Sequence, residues 1–311
     1  MTVHRLAIVG FGKIAQDQHA PSIAANPAFE LAATVSRSGS SPSAIPAFGS
    51  VSEMLAADLG ITAVAICTPP SVRYDVAREC LEAGLHCLLE KPPGVTLGEC
   101  EELARLTAEK GVTLFTTWHA QYNPAVAAAA ERLKGQRIAA MRIVWREDVR
   151  KWHPGQQWIW APGGFGVFDP GINALSIATH IFPGTLILRE AELLFPANRE
   201  TPIAASLGFS SPAASGALSA EFDWRHSGGE AWTIEVKPEE GPALLLADGG
   251  SRLVVGGVEE VGHREGEYPA IYVHFAELLA NGASHVDLAP LRLAADAFLL
   301  GKRTQVEPFE D

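Results

Sequence analysis

The chain reads as α/β: a doubly wound parallel sheet in the N-terminal part, then an α+β domain on a largely antiparallel sheet. Three observations predict this. Over residues 4–119 short apolar runs alternate with helical patterns, the signature of βαβ units. A glycine-rich turn follows the first of those runs directly. From about Gln121 the pattern changes to strand-like alternation with only occasional helices. The implied domains are 1–120 and 121–311, and 311 residues suffice for a core in each.

His4 to Val9 is the first strand, and Gly10-Phe11-Gly12-Lys13-Ile14-Ala15 follows at once. This is GxGxxG/A with alanine in the third place. Gly10 permits the tight turn, Gly12 lets the backbone approach a pyrophosphate, and the small third residue lets a helix pack on its strand. The helix N-terminus then favours the phosphate charge. Between a strand and a helix, the motif makes the first half a dinucleotide-binding Rossmann domain, with Gly10, Phe11, Gly12, Lys13 and Ile14 at the cofactor. Phe29 to Val35 is the second strand. An acid ordinarily stands about 20 positions after the glycines and binds the ribose hydroxyls of NAD. Here the strand ends at Ser36 and Arg37. A hydroxyl and a guanidinium suit a 2'-phosphate, so the expected cofactor is NADP, with tolerance of NAD as well.

Residues 38–50 are rich in Ser, Gly and Pro and read as an exposed loop. A short helix over Val51 to Ala57 leads to the strand Ala63 to Cys67. Thr68-Pro69-Pro70 closes that strand at the edge where open α/β sheets bind ligands, which adds Cys67, Thr68 and Pro69 to the cofactor set. Val72 to Ala83 is the next helix. Leu85 to Leu89 suits a strand buried on both faces; it stops at Glu90 and Lys91. Pro92 and Pro93 then forbid further pairing, because they carry no amide hydrogen, and an X-Pro bond can be cis where a turn is tight. Glu90 and Lys91 are therefore expected at the crevice. Leu97 to Lys110 is an amphipathic helix, and Thr113 to Trp118 a strand ending at His119.

In the second half Pro124 to Leu133 is helical and Ile138 to Trp145 alternates. Strand-like runs follow at Ile187 to Phe195, Ala204 to Phe209, Ala217 to Trp224, Trp232 to Val236, Ala243 to Leu246 and Leu253 to Val255. Helical patterns recur at Ile172 to Ile181, Pro269 to Ala280 and Leu291 to Leu300. Helices on one face of such a sheet leave the other to solvent or a second subunit, and a homo-oligomer, a dimer or more, is expected through it. Arg146 to Gly166 holds too much Pro and Gly for a regular element and too many Trp for a solvated loop. Rings that pack on C–H faces beside groups that take hydroxyls suit a sugar, which nominates Glu147, Trp152 and His153. Trp158 and Trp160 equally suit a plug at the domain junction. Asp169 stands just ahead of a helix, where an N-cap is the simplest role, and Asn173 lies four residues on. An Asp there can cap the helix and still face the crevice.

Composition excludes several classes. Apolar residues make up 47% and charged residues 19%, and no run reaches the ~18 apolar residues that span a bilayer. The chain is in its first strand by Arg5, which leaves no room for a signal peptide and makes a cytoplasmic location the expectation. Net charge is -12 without a basic cluster, which argues against nucleic acid. Cys67, Cys80, Cys87 and Cys100 have no CxxC-like spacing, so they read as small buried hydrophobes, and no metal is expected.

Gly10 to Ala15, Glu90-Lys91-Pro92 and the Gly163 to Asn173 run together resemble the glucose-fructose oxidoreductase/inositol dehydrogenase family across both domains. Within it the chain is most similar to the bacterial L-arabinose/D-galactose 1-dehydrogenase group. The stretches that carry this are Gln16-Asp17-Gln18-His19, Glu90-Lys91-Pro92-Pro93-Gly94, Thr117-Trp118-His119, Glu147-Asp148-Val149-Arg150 and Trp152 to Trp160. The family lysine falls on Lys91 and the family aspartate on Asp169. Many members have His four residues after that Asp; this chain has Asn173, as that group does, so a general-base His is unavailable there. Ser36-Arg37 is also similar to that group's NADP-accepting pattern.

The resemblance implies oxidation of a small cyclic aldose at C1 to its lactone, with Lys91, Asp169 and Asn173 catalytic. Two proton acceptors are open. Asp169 takes the proton while cationic Lys91 stabilises charge on O1, or Lys91, its pKa lowered by burial, is itself the base. A neighbouring carboxylate would raise the lysine pKa, which opposes the second version. Asn173, His153 and Glu147 would orient sugar hydroxyls, and His119 would lie near nicotinamide or sugar. Arg146, Arg150 and Lys151 offer a runner-up, a sugar-phosphate or inositol dehydrogenase, although Glu147 and Asp148 oppose an anion pocket. A nucleotide-sensing regulator on the same fold is a different class, and would need neither Lys91 nor Asp169.

Overall fold

The computed structural model describes residues 3–42, 44–262 and 266–310. The chain opens with β1 (His4–Val9), a π-helical turn (Ala15–His19) running into α1 (Ala20–Ala25), β2 (Phe29–Val35) and the two-residue β3 (Ala47–Phe48). Next come α2 (Val51–Ala56), β4 (Ala63–Ile66), α3 (Pro70–Glu82), β5 (His86–Leu89), α4 (Leu97–Lys110) and β6 (Leu114–Thr116). It continues through α5 (Pro124–Leu133), β7 (Ile138–Arg146), the one-turn α6 (Val149–Trp152) and α7 (Phe168–Ile181). The strands β8 (Ile187–Pro196), β9 (Ala204–Ser210), β10 (Leu218–Asp223) and β11 (Ala231–Pro238) follow. Then come β12 (Leu244–Ala247), β13 (Arg252–Val255) and β14 (Val258–Val261). The last elements are α8 (Glu267–Asn281), α9 (Ala289–Leu300) and β15 (Lys302–Val306).

Two compact units result: Met1–His119 with Gly266–Leu288, and Ala120–Glu265 with Ala289–Asp311. In the first, six parallel strands run in the order β3-β2-β1-β4-β5-β6, which reverses direction between β1 and β4. Residues Ala63 to Ile66 and Cys87 to Leu89 are almost wholly inaccessible, as strands covered on both faces require. Helix α4 carries a capping box between Thr96 and Glu99 and ends at left-handed Gly111. The loop expected over 38–50 contains β3, whose Ala47 and Phe48 pair with Thr34 and Val35. Helix α8 differs more from expectation, since a boundary at 120 leaves it in the second domain. Its buried residues Tyr268, Ile271, Tyr272 and Phe275 pack within the first unit, where Phe275 stacks on Phe29 at 5.6 Å. A helical stripe states that a face is covered, not which sheet covers it.

The second unit is a nine-stranded sheet, β14-β13-β12-β11-β7-β10-β9-β8-β15. It is antiparallel apart from the β7/β10 and β8/β15 pairs. The strands β14 and β15 lie outside the expected set; both are edges, short and each carrying two charged residues, which blunts an edge but erases the apolar alternation. Helix α7 is buried along most of its length on one face of the sheet, where a β-carbon on Gly171 would meet the Phe222 ring at 2.7 Å. Arg142 and Arg146 on β7 pair with Glu221 on β10, at 3.2 and 2.5 Å. Two expectations are corrected. Residues 146–166 are not wholly irregular, because α6 and a 3-10 turn (Gln157–Trp160) form within them. Asp169 is not the N-cap of α7: Val167 is, and Asp169 sits inside the first turn with its carboxylate toward His153.

Candidate active site

The reversal of strand order between β1 and β4 brings the glycine turn against the end of β4. Gly10 has φ +92°, and a β-carbon there would lie 2.7 Å from the Thr68 nitrogen and 2.8 Å from the Cys67 carbonyl carbon. Only glycine fits so close an approach of two backbones. At Gly12 an added β-carbon would meet nothing within 4 Å, so the chain faces open space there. Phe11 is buried, Ile14 is partly exposed, and exposed Lys13 pairs with Asp17. Half-buried Cys67 continues the ladder by donating its N–H to the Val9 carbonyl at 2.7 Å. The Thr68 hydroxyl is buried without a hydrogen-bond partner among the described residues, and Pro69 beside it is exposed. At the end of β2, Ser36 Oγ accepts the Ser40 N–H at 3.1 Å. Arg37 is exposed and makes no ion pair or hydrogen bond among the described residues. A tight glycine turn at the topological switch, an orphaned hydroxyl and an unengaged guanidinium fit a dinucleotide.

One strand further on, β5 delivers Glu90 and Lys91. Lys91 is half-buried and precedes a cis peptide bond to Pro92. The Glu90 carboxylate, 4% exposed, is tightly engaged: Oε1 accepts from His19 Nε2 at 2.9 Å and from the Tyr268 hydroxyl at 2.8 Å. Its Oε2 accepts the Lys91 backbone N–H at 2.8 Å. His19, fully buried, places Nδ1 2.8 Å from the Tyr272 hydroxyl. Burial works against charge on Glu90, yet the hydrogen bond and charge of His19, the charge of His119 and the Tyr268 hydroxyl hold its carboxyl well below the usual range. Burial likewise opposes charge on His19 but is outweighed by Cys67, Tyr272 and Glu90, so its pKa stands well above the ordinary value. The pair is therefore an imidazolium and a carboxylate, sealed in the first unit.

His119 follows β6, beside β5 in the sheet. Its Nδ1 lies 2.9 Å from Glu267 Oε2, and its ring stacks on Tyr268 with centroids 5.8 Å apart. Burial lowers the His119 pKa, but Glu267 and then Glu90 raise it more than Lys91 depresses it. With Nδ1 committed to a carboxylate, Nε2 is the nitrogen left for a ligand.

In the second unit Asp169, 5% exposed, has Oδ2 3.4 Å from His153 Nε2. The His153 ring lies 5.3 Å from that of Trp224. One turn along α7 the Asn173 side-chain oxygen, Oδ1, is buried without a partner among the described residues, an acceptor available to a hydroxyl. The Glu147 carboxylate, 4% exposed, accepts indole N–H groups from Trp224 at 3.2 Å and Trp232 at 2.9 Å. Trp152 is 44% exposed, donates to Glu230 at 3.2 Å and lies 5.5 Å from the Trp232 ring. Trp160 is buried against Trp224 and Phe309, while Trp158 is half-buried and donates to Gln156. The unit thus gathers Asp169, His153 and Asn173, with Glu147 joined to them through Trp224. Sequence reasoning singled out neither Trp224 and Trp232 nor Tyr268, Tyr272 and Glu267. Of the partners, His19 alone had a pointer, in the Gln16 to His19 stretch. Among the described residues no group of three or more His, Cys, Asp or Glu is arranged to hold a metal, and no helix is long and apolar enough to cross a membrane.

Residues 4–118 match the model of an oxidoreductase family with an NAD-binding Rossmann fold. Galactose 1-dehydrogenase from Pseudomonas fluorescens is 45% identical over 307 residues, covering 99% of each chain. The chain belongs to the GFO/IDH/MocA oxidoreductase family. Another similar protein in a solved structure is D-galactose-1-dehydrogenase from Rhizobium etli, with TM-score 0.94 and 47% identity over 100% of this chain and 99% of that one. A 3-ketoreductase from Actinomadura kijaniata, solved with NADP and TDP-benzene, superposes with TM-score 0.83 over 98% of this chain and 100% of its own. At 17% identity that likeness is one of fold alone. The family is one whose Rossmann fold binds NAD, and the matched residues 4–118 include the glycine turn at the β1/β4 switch.

Proposed function

We propose that the protein is an aldose 1-dehydrogenase that oxidises D-galactose, L-arabinose or both at C1 to the lactone, with NADP preferred and NAD accepted. The observation that carries this is the 45% identity with a galactose 1-dehydrogenase along essentially the whole of both chains. The bound dinucleotide supplies the hydride acceptor. Lys91, as ammonium, stabilises the negative charge that develops on O1 as its proton leaves. Asp169 takes that proton, and His153, 3.4 Å from the carboxylate, steadies it. Asn173 Oδ1, which lacks a partner among the described residues, accepts from a ring hydroxyl, and exposed Trp152 offers an apolar face to ring C–H groups. The two sugars share ring configuration from C1 to C4, so a site reading those carbons accepts both. Arg37, unengaged where an acid would select NAD, supports the preference for NADP.

The test is a panel of neutral aldoses, their phosphates and inositol, read by NADPH absorbance. Turnover confined to neutral aldoses is expected. Turnover only with phosphates or inositol replaces the substrate class, and tight cofactor binding without turnover of any sugar removes the enzyme reading. The same reading has the enzyme in the cytoplasm, with its cofactor pool, and assembled through the open face of the nine-stranded sheet; a monomer in sedimentation at micromolar concentration removes the assembly.

A further inference from the structure

Beyond Glu90 the β4/β5 ladder has nothing left to make. Its last bond runs from the Glu90 N–H to the Ile66 carbonyl at 3.1 Å. Pro92 and Pro93 then offer no amide hydrogen, and their neighbours' carbonyls need donors from elsewhere. Those donors come from Arg73, on the first turn of α3. Its guanidinium, 3% exposed, donates through Nη1 to the Glu90 carbonyl at 2.6 Å and to the Pro92 carbonyl. Through Nη2 it donates to the Thr68 carbonyl. The three acceptors bracket Lys91 on both sides in sequence and reach across to the end of β4, where the Thr68 nitrogen abuts Gly10. The Glu90 carboxylate in turn takes the Lys91 N–H.

We propose that Arg73 is a positioning residue for the reaction: its planar fork replaces the missing ladder and fixes where the Lys91 backbone sits relative to the cofactor turn. The inference rests on the role given to Lys91 above. Burying a guanidinium is costly unless acceptors meet its charge, and here three carbonyls at the sheet edge take bonds from Nη1 and Nη2. A lysine at 73 would be a single point charge on a flexible stem, unable to span three carbonyls in fixed geometry.

The experiment measures Arg73→Lys, Arg73→Gln and Lys91→Met side by side. The readouts are kcat and sugar KM, NADP affinity by fluorescence titration, and thermal melting. A displacement of the reacting group by ~1 Å costs about 100-fold in rate. R73K is therefore expected to lose roughly 30- to 100-fold in kcat while sugar KM and NADP affinity stay within about threefold, and K91M to lose about 100-fold or more. A kcat within threefold of wild type in folded R73K, with K91M inactive, overturns the inference alone. An active K91M overturns the role of Lys91 and the inference with it. Should R73K fail to fold, R73Q decides by the same split between kcat and KM. Failure of both to fold also overturns the proposal, because Arg73 is then a structural residue only.

Discussion

Replacing Glu90 by glutamine keeps the shape of the side chain but removes a buried charge whose two oxygens accept three donors, from His19, Tyr268 and the Lys91 backbone. The amide has one acceptor oxygen, so its NH2 must face either the Lys91 N–H or the His19 and Tyr268 donors. At least one charge-assisted bond, ~1.5–3 kcal/mol, becomes a donor–donor contact, and the His19 imidazolium loses its counter-charge. Breaking a buried ion pair from one side costs about 3–5 kcal/mol. At ~2–4 °C per kcal/mol for a domain of this size, E90Q should melt roughly 6–20 °C below wild type near pH 6. The sign with pH follows from both partners. The depressed Glu90 pKa contributes stability present above its unfolded value, ~4.3, and lost as pH falls toward the folded one. The raised His19 pKa contributes stability present below ~6.5 and lost as pH climbs through its folded value. The gap between wild type and variant is therefore widest between about pH 4.5 and 6.5 and narrows on either side. Circular-dichroism melts across pH 3.5 to 9 measure it. A gap under about 2 °C, or one as large at pH 3.5 as at pH 6, refutes the ion-pair reasoning.

Arg37→Ala should raise the Michaelis constant for NADP by about tenfold or more and that for NAD little; equal effects would remove the 2'-phosphate contact. Gly10→Ala puts a β-carbon 2.7 Å from the backbone nitrogen of Thr68 at φ +92°, and dinucleotide affinity should fall by at least about tenfold; an unchanged titration curve contradicts the close approach. Glu267→Gln removes the largest influence raising the His119 pKa, so the ring should titrate at lower pH in NMR, and an unmoved resonance would deny the pairing.

The parts of the fold most legible in the sequence are those with both faces covered or with explicit punctuation. Strand β4 is a continuous apolar run, β1 and β2 end in mostly apolar buried runs, and α4 is bounded by Thr96 and Gly111. What escaped was edge and exception. The strands β3, β14 and β15 bury too little to leave a period-2 trace. Motif and resemblance point to Gly10, Gly12, Lys91, Asp169 and Asn173, because each stands in a recognisable local setting. Contacts between distant residues leave no such trace. His19 finds Glu90 71 positions away and Tyr272 253 away, and the Glu147 carboxylate binds indoles 77 and 85 residues downstream. Beside so many Trp, Glu147 looks like a sugar-binding acid, and nothing local discloses that two distant rings, Trp224 and Trp232, hold it.

Because α8 belongs to the first unit, the ribosome has to make most of the protein before that unit is whole. When His119 emerges, His19 and Glu90 still lack Tyr268 and Tyr272, whose codons lie about 150 residues on. At ~5–20 residues per second the nascent sheet waits roughly 8–30 s with a charged pair half-clothed, which is the window in which a chaperone would find it. A fragment cut at residue 119 never leaves that window, and expressing the dinucleotide-binding unit on its own requires splicing residues 266–288 back onto it.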